Sequence, residues 1–173
     1  MNAVPLEVPF ALSGGSIETP EFTTILSIPY DVEIVFRTTQ MPAEEIDCLI
    51  GTNVKSVEPC SGEPSILNVK WRLVDGNRPS TNGSSIDLYE ADYSYHQIAL
   101  NIGRFDSVTG GRYRLKVDVL QNATRLAGAR PKLEVVPFLN PYDGRLLLAG
   151  LAFYVAIAAA VCGASLILVS AFR

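Results

Sequence analysis

Residues 146–172 form an uncharged run, LLLAGLAFYVAIAAAVCGASLILVSAF, bounded by Arg145 and Arg173. As an α-helix rising about 1.5 Å per residue it extends roughly 40 Å, longer than the hydrocarbon core of a bilayer at about 30 Å. A helix packed into a small domain keeps a polar face, and this run has none. It is therefore expected to be a single transmembrane helix, so the rest of the chain must fold as a separate body. Ala152, Ala156, Ala160 and Ala164 recur at every fourth residue, with Gly163 beside the last of them. That spacing lays small side chains along one face, where helix backbones approach closely in lipid. The expected partners are thus the lipid bilayer and other transmembrane helices, from a second copy or from a larger membrane complex.

The chain has 173 residues, which leaves roughly 140 outside the run for one domain with a single core. All 18 acidic residues precede the run, and the net charge is −4. No basic cluster is present to displace counterions from phosphates, so nucleic acid is not expected as a partner. Neither a Gly-rich phosphate loop, nor zinc-type Cys/His spacing, nor an internal repeat occurs. The opening MNAVPLEVPFALSGG has no basic stretch, and Pro5, Glu7 and Pro9 interrupt its apolar residues. No cleaved secretion signal is expected from it. The expected location is the cell (inner) membrane, crossed once by the C-terminal helix. Arg130, Lys132 and Arg145 precede the run and Arg173 alone follows it, which favours the cytoplasmic side for the domain.

Before the run the hydrophobic period is two, not 3.6. Leu67, Val69, Trp71 and Leu73 alternate with Asn68, Lys70 and Arg72; Tyr113, Leu115, Val117 and Val119 alternate with Arg112, Arg114, Lys116 and Asp118. Val32, Ile34 and Phe36 repeat the pattern against Asp31, Glu33 and Arg37. Each is a strand with one dry face. Residues 6–12, 22–28, 95–102 and 132–136 are weaker strands. Turns are expected at Ser13-Gly14-Gly15, Asp75-Gly76-Asn77, Asn82-Gly83 and Thr109-Gly110-Gly111. About seven short strands imply an all-β fold, an immunoglobulin-like antiparallel β-sandwich followed by one C-terminal transmembrane α-helix. The Cys…Trp…Cys framework of a true immunoglobulin domain is missing, because no cysteine lies between Trp71 and the run. The expected division is a sandwich over 1–136, a linker over 137–145 and the helix over 146–172. Within 39–64 a polar connection with a short helical turn near 43–49 is expected.

The order VPFALSG, IPYDVEIVFR, ILNVKWRLVDG, GGRYRLKVDVL, LAGARPKLEVV resembles a bacterial β-sandwich family, the domain of unknown function 5625. The matching positions are Pro9-Phe10, Pro29-Tyr30 with Phe36, Gly111-Arg112-Tyr113 with Val117, and Leu126 with Gly128. The resemblance spans about 8–136 and implies a bacterial, envelope-associated domain with no catalytic residues to carry over.

Candidate chemistry is sparse, and no enzyme and no cofactor is expected. His96 is the sole histidine and reads as a surface residue near two tyrosines. Asp87, Glu90 and Asp92 place three carboxylates in six residues; a solvated loop is preferred over a calcium site, which takes six to eight oxygens. Glu44, Glu45 and Asp47 form a second acidic group read the same way. Trp71 with Tyr89, Tyr93 and Tyr95 suits a sugar platform, but Trp71 falls on the dry face of its strand and reads as core. Cys48 and Cys60 flank a loop at a spacing that suits a disulfide in an oxidising compartment, while Cys162 lies in the apolar run. Asn82-Gly83-Ser84 and Asn122-Ala123-Thr124 match the glycosylation triplet. The expected function is a membrane-anchored protein-binding module, either an accessory subunit of a membrane complex or an immunity-type protein. The alternative is a carbohydrate- or calcium-binding domain.

Overall fold

The computed structural model describes residues 4–52, 66–74, 81–85 and 90–138. The chain divides into two units, Met1–Phe138 and Leu139–Arg173. The second, with the expected transmembrane helix and its stripe of Ala152, Ala156, Ala160, Gly163 and Ala164, lies outside the described residues. No helix among the described residues is long and apolar enough to cross a membrane.

The first unit is a pair of antiparallel sheets. The first sheet runs β1 (Leu6–Pro9), β10 (Lys132–Pro137), β4 (Pro29–Arg37), β8 (Gln97–Asp106), β7 (Glu90–Ser94). The second runs β2 (Gly15–Glu18), β9 (Arg112–Val119), β5 (Val69–Val74), β6 (Asn82–Ser84), with the short β3 (Phe22–Thr23) also on β9. Helix α1 (Ala43–Ile50) and a 3-10 helix (Thr124–Ala129) lie in connections between the sheets. The alternation read from the sequence sets the core: Tyr30, Val32, Ile34 and Phe36 of β4 and Tyr113, Leu115, Val117 and Val119 of β9 are buried. Within α1, Ile46, Leu49 and Ile50 share one face and are buried with them. Gly51 ends the helix in the left-handed region at φ 81°, its N–H donating to the Asp47 carbonyl.

Trp71 is locked by a bulge in β8. The register between β4 and β8 shifts where Val32 pairs with Gly103 and Glu33 with Asn101, leaving Ile102 as the extra residue. Its carbonyl accepts the Trp71 indole N–H at 2.7 Å. Gly103 and Gly83 both abut the indole, and a Cβ at either would overlap it.

Several expected elements come out differently. Residues 24–28, read as strand, form a loop after β3, tied to the 107–111 loop by Thr24 N–H donating to the Gly111 carbonyl, by Gly110 N–H donating to the Thr24 carbonyl, and by the Thr24 and Ser27 hydroxyls. Asn82-Gly83, read as a turn, belongs to β6, where Gly83 pairs with Trp71. Tyr95 and His96 are the two residues of the β7–β8 turn, so β8 starts at Gln97 and continues to Asp106.

Candidate binding surfaces

One end of the sandwich carries an apolar groove. After β1, residues 9–13 cross from the first sheet to the second, burying Phe10 and Leu12. Backbone bonds fix the crossing: Phe10 N–H to the Pro131 carbonyl and Ala123 N–H to the Leu12 carbonyl, both 2.9 Å. The 3-10 helix lies alongside, its start held by the Thr124 N–H donating to the Asn122 side chain at 3.0 Å. It ends at Arg130, whose φ of 48° is left-handed and rare for a residue with a Cβ. The resulting cavity of about 590 Å³ is lined largely by Pro9, Phe10, Ala11, Leu12, Ala127 and Pro131, together with Arg37, Arg130 and Lys132. Lys132 also pairs with Glu7, which holds the Glu7 carboxyl below its ordinary range. A groove of this size with a few convergent polar groups is the usual form of a binding site. Its lining comes from residues 9–13 and 124–132, more than a hundred residues apart, together with Arg37, so no local motif marks it in the sequence.

The outer face of the first sheet is acidic. Register places Glu7, Glu134 and Glu33 side by side across β1, β10 and β4, with Asn101 of β8 next. Burial, with Asp31, Glu134 and Asp92 nearby, pushes the Glu33 carboxyl up to about 7. Burial, and then Glu7, also raises Glu134. Arg104 answers part of this charge. Its guanidinium grips Asp31 at 2.6 and 3.2 Å and lies 3.4 Å over the Phe138 ring. A cavity of about 280 Å³ lies against Asp31, Glu33, Asp92, Asn101, Arg104 and Phe138. Among the described residues, no group of three or more His, Cys, Asp or Glu is arranged to hold a metal ion.

The structure separates the residues singled out in the sequence. Asp47 is fully buried, whereas Glu44 and Glu45 stay exposed in the first turn of α1, where the helix dipole favours carboxylates. The Tyr93 hydroxyl donates to Asp47 Oδ1 at 2.5 Å and the Thr52 hydroxyl to the same oxygen at 2.8 Å. This ties α1 to β7. Burial, then the bond to Asp47, pushes the Tyr93 hydroxyl up to about 12. Cys48 is disulfide-bonded; Cys60 and Cys162 lie outside the described residues. His96 is exposed, edge-on to Tyr95 at 4.5 Å. Trp71, at 2% exposure, is core and offers no ring face to a sugar. Asp87 and Tyr89 are outside the described residues, and Asp92 is exposed on the acidic face.

No family model and no curated protein matches the chain. Its fold is similar to the crystal structure of a protein from Sulfurospirillum deleyianum, with a TM-score of 0.53 and 9% identity over 78% of this chain and 98% of that one. At such identity the likeness is one of fold alone: two packed antiparallel sheets are an architecture this chain shares with that bacterial protein.

Proposed function

We propose that this chain is a non-enzymatic, single-pass membrane protein whose β-sandwich is a protein-binding module, serving as an accessory subunit of a membrane complex or as an immunity-type protein. The groove of about 590 Å³ beside the 3-10 helix carries this reading. Pro9, Ala11 and Ala127 supply exposed apolar contact, and Arg37, Arg130 and Lys132 supply positive charge. The complementary occupant is a segment of a partner protein that presents apolar and acidic side chains together. The uncharged run over 146–172 supports the anchor, and the alanine stripe supports packing against a second helix.

The Cys48 disulfide favours an oxidising compartment. The sandwich is accordingly read as facing outward from the inner membrane, against the cytoplasmic side that charge counting favours. A membrane-impermeant lysine reagent that leaves the sandwich unlabelled on spheroplasts, and labels it once they are lysed, refutes this placement.

The test of function is purification of the full chain in mild detergent. A stoichiometric partner is expected, and the Arg37→Glu, Arg130→Glu double variant is expected to lose it while keeping the buried emission of Trp71. A parent chain that always elutes alone as a monomer overturns the proposal.

A further inference from the structure

The loops at the opposite end of the sandwich, residues 24–28 and 107–111, contain no charged residue. Ile25, Leu26 and Val108 are 57, 45 and 50% exposed there. Single exposed apolar side chains are ordinary, but these three lie on two loops bonded directly to each other. The Thr24 hydroxyl donates to the Val108 carbonyl at 2.8 Å, and the Gly110 N–H to the Thr24 carbonyl at 2.8 Å. The Ser107 hydroxyl lies 2.7 Å from the Leu26 carbonyl and 2.9 Å from that of Ile28, and the Ser27 hydroxyl donates to the Ser107 carbonyl. Much of the polar demand of the loops is thus met internally, while apolar side chains point outward. A surface of this kind leaves water at low cost.

The chain leaves the sandwich at this same end. Pro137 pairs with Tyr30, and the Phe138 N–H donates to the Pro29 carbonyl at 2.9 Å. Only seven residues, 139–145, then precede the apolar run, and seven residues reach at most about 25 Å. Arg112, paired with Glu21 at 3.6 Å, and the exposed Asp106 form the polar margin of the tip.

We infer that this tip is a bilayer-contacting surface, with Ile25, Leu26 and Val108 entering the boundary between headgroups and acyl chains. The cation-bearing groove lies at the other end of the sandwich from this tip. The inference rests on the reading of 146–172 as a membrane span.

Full-length Leu26→Trp and Val108→Trp variants, reconstituted in phosphatidylcholine vesicles brominated near the top of the acyl chains, test it. Tyr95→Trp is the control, because Tyr95 is 92% exposed in the turn at the opposite end. The parent, whose sole tryptophan is the buried Trp71, gives the baseline. The added emission at 26 and 108 is expected to fall by about half in brominated vesicles, and that at 95 to stay unchanged. Equal responses at the three positions, in protein that resists alkaline extraction, overturn the inference and leave the anchor standing. Release of the parent chain by alkali removes the anchor and this inference with it.

Discussion

Replacing Glu33 by glutamine is expected to stabilise the sandwich at alkaline pH and to change little at acid pH. Glu33 sits on β4 between Glu134 and Asn101, half-buried and facing Asp31 and Asp92. The unfolded chain releases its proton near the ordinary 4.5, whereas the folded chain holds it up to about 7. Between those values the folded state binds the extra proton. The cost of ionising Glu33 therefore grows as pH rises through this window and is complete above about 7. At full weight the shift amounts to about 3 kcal/mol, and solvent screening of a half-exposed side chain leaves roughly 1–2 kcal/mol. Urea unfolding of the full chain in mild detergent, followed by Trp71 emission, reads this directly. Glu33→Gln should exceed the parent by that amount at about pH 8 and match it at about pH 4. A difference that is the same at both values would refute an electrostatic origin. A destabilised variant at about pH 8 would show that the carboxylate is needed where it is.

Three other outcomes are expected. Gly103→Ala should cost about 3 kcal/mol, because a Cβ at φ 153° would enter the Trp71 indole; a urea midpoint like the parent's contradicts this. Tyr93→Phe removes the 2.5 Å donor to the buried Asp47 and should cost about 1–3 kcal/mol, measured by the same unfolding, with no loss if the bond is incidental. Ala156→Leu with Ala160→Leu should weaken recovery of a membrane partner while the chain still resists alkaline extraction, and unchanged recovery would make the stripe mere composition.

The sequence alone determined three of the strands, β4, β5 and β9, and which of their faces would be dry. Alternation is local: Trp71 and Leu73, or Tyr113 and Leu115, point the same way whatever their strand pairs with. It also placed the short helix after Pro42, whose apolar positions fall on one face. Pairing and burial were decided by the tertiary structure, since they depend on which segments meet. The last strand lies between β1 and β4, an order that no periodicity encodes. The 24–28 stretch is apolar enough for a strand, but its backbone and hydroxyls bond to the 107–111 loop, and it becomes an exposed tip. Asp47 was indistinguishable in sequence from Glu44 and Glu45 until α1 docked and buried it against Tyr93. Glu33 reads as an outward strand residue, and it is burial in the assembled sheet, then the charges of Asp31, Glu134 and Asp92, that raises its carboxyl. The groove likewise exists only because residues 9–13 and the 3-10 helix, far apart in the chain, cross the same end of the two sheets.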